Sequence, residues 1–160
     1  MSKDMSVPCD DGIINIRVGA IIIKDGKILM AGNRSVSHLY SVGGRLKFGE
    51  TSEQAIIREV YEETGVRMEI DRLVFVHENY FTGDSIAKNG KRVYEISFFF
   101  LMKTPENLAP VCYSFTDDGG QEFLRWVTPD TEETIYPEFF RTELFPPPSA
   151  VRHIVTRDAR

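Results

Sequence analysis

A single helix with clear boundaries is the feature of this sequence that most restricts its fold. Apolar residues recur three and four positions apart between Ser52 and Thr64, a spacing that places them on one helix face. Thr51-Ser52-Glu53-Gln54 fits a capping box at the start, and Gly65 suits a left-handed C-terminal stop. We therefore predict an amphipathic helix that packs its apolar face on another layer of structure.

The opposite face of this helix is acidic. Glu59, Glu62 and Glu63 fall together on it, with Arg58 at its border. Like charges at this spacing destabilise a bare helix by roughly 0.2–0.5 kcal/mol per pair, and acidic groups near its C-terminal end oppose the helix dipole. A solvated face is the ordinary interpretation of acidic residues on a helix. The two penalties favour a bound divalent cation instead, because Mg²⁺ prefers hard oxygen ligands.

The segment before the helix combines glycine with basic side chains. Gly43-Gly44 and Gly49 permit tight turns and close approach of the backbone to a ligand. Arg45 and Lys47 are candidates to contact phosphate oxygens, and Glu50 stands just before the helix. Together with the acidic helix, this segment suits a diphosphate bridged by a metal ion.

Strand patterns occur on both sides of the helix. The predicted strands cover residues 13–23, 28–30, 39–42, about 73–76, 92–102 and 121–127, with hairpin turns at Asp25-Gly26 and Asn89-Gly90 and a loop at 33–38. Pro137 suits the first turn of a short helix that runs to about Leu144. We predict one mixed α/β (α+β) domain over residues 1–160, in which 1–11 and 149–160 are peripheral or flexible, with solvated disorder for the tail from 151 to 160.

Composition narrows the class of partner. The net charge of −5 over 160 residues argues against a nucleic-acid polymer, which needs a basic footprint. The longest apolar run, residues 96–102, is too short to span a bilayer, and no signal-peptide core is present, so we expect a cytoplasmic protein. Cys9 and Cys112 lack metal-site spacing and are expected to be reduced thiols that pack.

The helix and the segment before it resemble the signature of the Nudix hydrolase family, of which the MutT-type proteins are members. Every fixed position of that signature is filled, namely Gly44, Glu50, Arg58, Glu59, Val60, Glu62, Glu63, Gly65 and Val66. The resemblance implies a Nudix-type α-β-α sandwich with a mixed β-sheet. Ser41-Val42 replaces the usual Leu-Pro before the glycine pair, and no substrate subclass is identified.

The resemblance also implies a metal site. Its helix ligands correspond to Glu59, Glu62 and Glu63. The carbonyl of Gly43 often joins them, Glu50 is a supporting ligand or an outer hydrogen-bonding group, and Arg58 orients a glutamate. The implied cofactor is Mg²⁺, for which Mn²⁺ can substitute.

The implied reaction is hydrolysis of a phosphoanhydride by a metal-activated water. The substrate is a nucleoside diphosphate linked to a group X, or a nucleoside triphosphate. The general base is open: Glu59 and Glu122 are candidates, and Asp117 and Asp118 are weaker ones from a loop.

Several other residues are candidate substrate contacts. Arg34 is a further candidate for phosphate, and Tyr40 and Phe81 either stack on a base or pack in the core. His77 and Asn79 share one face of an apolar strand, where they either face the substrate cleft or make structural hydrogen bonds.

Two other functions remain open at this stage. One is a non-catalytic module that senses nucleotides, although such modules usually lose the glutamates. The other is an isoprenoid diphosphate isomerase, which needs a catalytic cysteine such as Cys9 or Cys112. A homodimer is a further expectation, because related domains often pair.

Overall fold

A computed structural model describes residues 3–83, 90–110 and 119–157. The described part of the chain contains ten strands and two helices. In chain order these are β1 (Ser6–Cys9), β2 (Gly12–Ile21), β3 (Ile23–Lys24), β4 (Lys27–Asn33), β5 (Leu39–Arg45), α1 (Ser52–Thr64), β6 (Ile70–Thr82), β7 (Arg92–Met102), β8 (Glu122–Val127), β9 (Ile135–Tyr136), α2 (Phe140–Glu143) and β10 (Arg152–Arg157).

The strands form one mixed sheet. Its main path runs β10-β6-β7-β2-β5-β4-β3, while β1, β8 and β9 pair with β2, β4 and β5 respectively. The pairs β2/β7, β6/β10 and β5/β9 are parallel, and the other pairs are antiparallel. The predicted mixed α+β class is confirmed.

Helix α1 has the predicted limits, and its caps explain them. The Thr51 side chain accepts a hydrogen bond from the Gln54 backbone, and the Gln54 side chain accepts one from the Thr51 backbone. At the other end Gly65 adopts the left-handed conformation with φ 72°, and its N–H bonds to the Tyr61 carbonyl. Both ends are therefore determined by local sequence.

Two apolar clusters hold the layers together. One joins α1 to the sheet through Ala55, Ile56 and Val60. The other gathers Phe140 and Leu144, from α2 and the residue after it, around the sheet residues Phe75 and Ile21. With about 25 cal/mol for each Å² of apolar surface buried, these two clusters supply the main stabilisation of the fold.

Most predicted strands are present, with differences at their ends. The Asp25-Gly26 turn joins β3 to β4, as predicted. Strand β5 continues through the glycine pair to Arg45, and β6 extends well beyond residues 73–76. Strands β6 and β7 form the predicted long hairpin, although Asn89 lies outside the described residues.

The late helix is shorter than predicted. Its α-helical part is Phe140–Glu143, and the preceding residues make hydrogen bonds three positions apart, such as Phe140 N–H to the Pro137 carbonyl at 3.2 Å. Bonds of this spacing belong to tighter turns than those of an α-helix, so Pro137 does not begin one.

Both chain ends are more ordered than the sequence predicted. Strand β1 pairs with β2, and Met5 N–H bonds to the Leu46 carbonyl at 2.7 Å. The disorder predicted for the tail is wrong for Arg152–Arg157, which form the largely exposed edge strand β10 beside β6. The reason is that the edge of β6 has backbone hydrogen-bonding groups that need partners, and the tail supplies them.

Within the described ranges, no helix has the length and apolar character that crossing a membrane requires.

Candidate active site

One open cleft of about 500 Å³ contains most of the predicted site residues. Its floor comes from β2, β6 and β7, and its walls come from β5, the α1 glutamates and β8. The predicted residues that line it are Tyr40, Gly43, Gly44, Arg45, Lys47, Arg58, Glu59, Glu62, Glu63, His77, Asn79, Phe81 and Glu122.

Glu63 is the most deeply placed acid of the cleft. It retains 5% of its exposure, and its Oε2 accepts a hydrogen bond from the Gly43 backbone N–H at 2.9 Å. Burial, together with the negative charges of Glu122 and Glu59, raises the pKa of Glu63 well above its usual range. An ionised carboxylate at this position therefore needs a positive partner.

Glu59 depends on the glycine pair for its place. A Cβ atom on Gly44 would lie 2.4 Å from Glu59 Oε1, so any side chain there would displace the carboxylate. Burial raises the pKa of Glu59, against the opposing effect of Arg58. The structure thus explains why glycine precedes the helix: it leaves room for a carboxylate at the sheet.

Arg58 connects the acids of this region. Its Nε and Nη2 donate to the two oxygens of Glu50 at 2.6 and 3.0 Å, and its Nη1 donates to Glu59 at 2.9 Å and to Glu62 at 3.2 Å. Glu50 also accepts from the Lys47 N–H at 2.9 Å and is not among the residues that line the cleft. Glu50 therefore acts on the cleft through Arg58.

The donor chemistry of the cleft fits a divalent cation. Three α1 carboxylates face one cleft, and the mutual repulsion of Glu59, Glu63 and Glu122 would be relieved by a 2+ charge. Their oxygens do not meet at one point, however: among the residues that the structure describes, no three acidic, histidine or cysteine side chains are arranged around a metal position. Arg58 and the Gly43 N–H are their present partners, so metal binding competes with these hydrogen bonds.

Glu122 approaches the α1 acids from β8. Its Oε2 accepts a short hydrogen bond from the Tyr40 hydroxyl, which itself accepts from Asn33 Nδ2 at 3.0 Å. Burial and the contact with Glu122 raise the pKa of Tyr40. Tyr40 therefore holds a carboxylate in place through its hydroxyl, a role that the stacking prediction did not include.

The predicted phosphate contacts are only partly brought together. Arg45 and Lys47 line the cleft, as Phe81 does on the opposite side. Arg34 is exposed and is not among the lining residues; Asn33, the residue before it, faces the cleft instead. Arg34 lies beyond the end of β4, outside the strand that directs Asn33 inwards.

Arg17 is a cleft residue that the sequence analysis missed. It pairs across the sheet with Arg45 on one side and with Ser97 on the other. Burial lowers its pKa, but the field of Glu95 and of the site acids outweighs this and raises it overall. The signal was the alternation of Asn15 and Arg17 among apolar residues of a predicted strand, which indicates a polar face.

The remaining candidates lie elsewhere. Cys9 is a free thiol that is exposed on the β1–β2 hairpin, so the expectation that it packs is wrong, and it does not line the cleft. Cys112, Asp117 and Asp118 lie outside the described residues. The described residues that line the cleft therefore include no cysteine that could serve an isomerase.

Comparison with known proteins identifies the family of the chain. The NUDIX domain family model matches residues 14–143. A MutT-like protein of Streptomyces ambofaciens is 35% identical over 66 residues, which are 41% of this chain and 43% of the relative. The CTP pyrophosphohydrolase of Escherichia coli (strain K12) is 34% identical over 70 residues, 41% of this chain and 52% of the relative. The chain thus spans about half the length of the curated relatives it matches.

A solved structure shares the fold. The crystal structure of a MutT NUDIX hydrolase from Burkholderia pseudomallei has a TM-score of 0.60 and 22% identity, covering 80% of this chain and 95% of that chain. The family model covers well over half of the chain, from β2 to α2, and contains the glutamate helix and its glycine pair. The chain therefore belongs to the Nudix family.

Proposed function

We propose that this protein is a Mg²⁺-dependent pyrophosphohydrolase that cleaves a phosphoanhydride in a nucleoside triphosphate or in a nucleoside diphosphate linked to a group X. The observation that carries the proposal is geometric: Glu59, Glu62 and Glu63 of α1 and Glu122 of β8 line one open cleft, where Glu63 is buried and accepts a hydrogen bond from the Gly43 N–H. Grouping several acids and burying one of them lowers the stability of the fold, and such arrangements are typical of functional sites.

The metal would be held by the carboxylates of Glu59, Glu62 and Glu63, with Mn²⁺ as a substitute for Mg²⁺. The Gly43 carbonyl is a further proposed ligand, and Glu50 supports the set through its hydrogen bonds to Arg58. When bound, such an ion neutralises negative charge on the phosphate groups and lowers the pKa of water.

The residues of the chain itself have three proposed roles. Arg45 and Lys47, which line the cleft, bind phosphate oxygens, and Phe81 contacts the base. Glu59 or Glu122 removes a proton from the attacking water. Tyr40 holds Glu122 through its hydroxyl. Arg34 stays a weaker prediction, because it does not line the cleft.

The named relatives favour nucleotides as the substrate class. One is a MutT-like protein and another is called a CTP pyrophosphohydrolase. A small nucleotide also fits the acidic chain, because a bound cation supplies the positive charge that a polymer would require from the protein. A cytoplasmic location and a homodimer stay predictions from the sequence.

The direct test is a phosphate-release screen of purified protein with Mg²⁺. The panel contains the common nucleoside triphosphates, nucleotide sugars, dinucleoside polyphosphates and ADP-ribose. We expect cleavage of at least one class, lost with EDTA and restored by Mg²⁺ or Mn²⁺. Nucleotide binding without cleavage would indicate a sensing module, and conversion of an isoprenoid diphosphate would indicate an isomerase; either result overturns the proposal.

A further inference from the structure

The floor of the cleft contains a group of polar residues in the middle of the sheet. On β6 and β7, His77 lies opposite Ser97 and Asn79 lies opposite Glu95. All four line the cleft, and His77, Asn79 and Ser97 retain less than a tenth of their exposure. Central strands normally bury apolar side chains, so four adjacent polar ones indicate a binding surface.

The C-terminal strand makes hydrogen bonds to this polar floor. Parallel pairing of β10 with β6 places Thr156 opposite Asn79. The Thr156 hydroxyl donates to Asn79 Oδ1 at 2.6 Å, and His77 Nε2 lies 2.9 Å from the same hydroxyl oxygen. A threonine hydroxyl has one proton to donate. Since that proton goes to Asn79, the hydroxyl accepts from His77, and Nε2 carries a hydrogen.

These bonds leave a defined pattern of donors and acceptors. Burial lowers the pKa of His77 to about 4, so its imidazole is neutral at pH 7. With the hydrogen on Nε2, the Nδ1 atom is an acceptor. Asn79 uses its Oδ1 to accept from Thr156, which leaves the amide N–H groups of Nδ2 as donors. One acceptor and one donor group therefore lie two residues apart on one strand face.

We propose that His77, Asn79, Glu95 and Ser97 form the subsite that binds the nucleobase of the substrate, and that Thr156 is the positioning residue that sets its hydrogen-bonding pattern. The inference rests on the proposed function and deepens it. A nucleobase edge offers both donors and acceptors, and Phe81, the next residue on this face of β6, also lines the cleft and provides a ring for stacking.

The arrangement also orients the substrate. Arg17 lies beside Ser97 across the β2/β7 pair, within the field of Glu95 on the polar floor and of Glu59 and Glu63 on α1. It therefore lies close both to the polar floor and to the acids of α1. A nucleotide would place its phosphates at Arg17 and at a cation held by the acids, with its base over His77 and Asn79.

The kinetic test compares two substitutions of Thr156. Thr156→Val removes the hydroxyl at nearly constant volume, Thr156→Ser retains it, and Thr82→Val is a control at the end of β6. The probe is whichever of ATP, GTP, CTP and UTP the wild type cleaves fastest. We expect Thr156→Val to raise KM about tenfold with kcat within about twofold. Thr156→Ser and Thr82→Val should stay within about threefold of the wild-type KM.

An inhibitor without a base distinguishes the loss of base contacts from general damage to the active site. Inhibition by inorganic pyrophosphate, which has no base, should be the same in Thr156→Val and the wild type. A Thr156→Val enzyme with an unchanged KM, or one in which pyrophosphate inhibition weakens equally, overturns the inference.

A spectroscopic test needs no turnover. Long-range ¹H–¹⁵N spectra of the imidazoles, with His77 identified among the three histidines by its loss in His77→Gln, should show hydrogen on Nε2 and none on Nδ1 at pH 7. ATP, GTP, CTP and UTP are then added separately in the absence of Mg²⁺, and at least one of them should shift the His77 Nδ1 and Asn79 side-chain signals. The Nδ1–H tautomer, or the absence of a shift with all four nucleotides at the highest concentration used, overturns the inference. If the wild type cleaves no nucleotide, the proposed function fails while these spectra still decide the subsite.

Discussion

Arg58 and Glu50 form an ion pair with two contacts, Nε to Oε1 at 2.6 Å and Nη2 to Oε2 at 3.0 Å. The third nitrogen of the same guanidinium donates to Glu59 at 2.9 Å. The hydrogen bonds from Arg58 lower the pKa of Glu50, which therefore stays ionised. Glu50 thus fixes the direction from which Arg58 reaches Glu59.

The first prediction concerns this pair. Glu50→Gln weakens one side of the ion pair, so Arg58 is less well oriented, and we expect kcat/KM to fall about 10–100-fold, as for other outer partners of metal ligands. Steady-state kinetics at several Mg²⁺ concentrations measures the effect. The matched control is Glu53→Gln, an exposed position in the first turn of α1, which should leave kcat/KM unchanged. If Glu50→Gln had the kcat/KM of the wild type, Glu50 would not be needed to orient Arg58.

The second prediction concerns Glu63. Glu63→Gln should lower kcat by roughly 100-fold or more, because a neutral amide cannot replace an ionised metal ligand. Its melting temperature without metal should equal or exceed that of the wild type, since the amide oxygen can still accept from Gly43 and a neutral amide is not repelled by Glu122 and Glu59. Glu69→Gln, at an exposed position beyond the helix, is the control. Full activity in Glu63→Gln would contradict the assignment.

The third prediction concerns pH and His77. Burial lowers its folded pKa to about 4, below the unfolded value of about 6.5, so the unfolded state binds more protons between these values. The contribution of His77 to stability is therefore present above pH 6.5 and is lost as the pH falls towards 4. Between pH 7 and pH 5 we expect a loss of about 2 kcal/mol from this group.

Urea unfolding of the wild type and of His77→Gln at both pH values isolates this effect. The difference in unfolding free energy between the two proteins should change by about 2 kcal/mol between pH 7 and pH 5. Subtracting the two unfolding free energies cancels the contribution of the carboxylates, which both proteins contain. Glu59 and Glu63 would otherwise oppose the effect, because their folded pKa values are raised and their contribution to stability grows as the pH falls. A difference that does not vary with pH would refute the prediction.

The fourth prediction concerns the start of α1. Thr51→Ala removes the side chain that accepts from the Gln54 N–H at 3.1 Å, and we expect the free energy of unfolding to fall by about 1 kcal/mol. Thr51→Ser keeps the acceptor and should retain most of the stability. Denaturation midpoints in urea measure both variants. Equal midpoints for Thr51→Ala and the wild type would show that the cap is dispensable.

The helix and its chemistry were predictable because their causes are local. The capping box, the left-handed Gly65 and the acidic face all follow from residues within a few turns of one another. The pairing of Arg58 with Glu50 spans eight positions and was anticipated only as the orienting of a glutamate. Likewise, the Asp25-Gly26 dipeptide is enough to predict the hairpin turn between β3 and β4.

The site as a whole depends on pairings that local sequence does not contain. Arg17, Ser97 and His77 meet because β2, β7 and β6 are neighbours in a particular register, and a shift of one residue would turn these side chains to the other face. Thr156 reaches Asn79 across 77 positions because the backbone of β6 needs a partner at its edge. Residue types and local spacing thus account for the acids and their helix, whereas strand order and register, which arise from burial and hydrogen bonding of the whole sheet, account for the cleft floor.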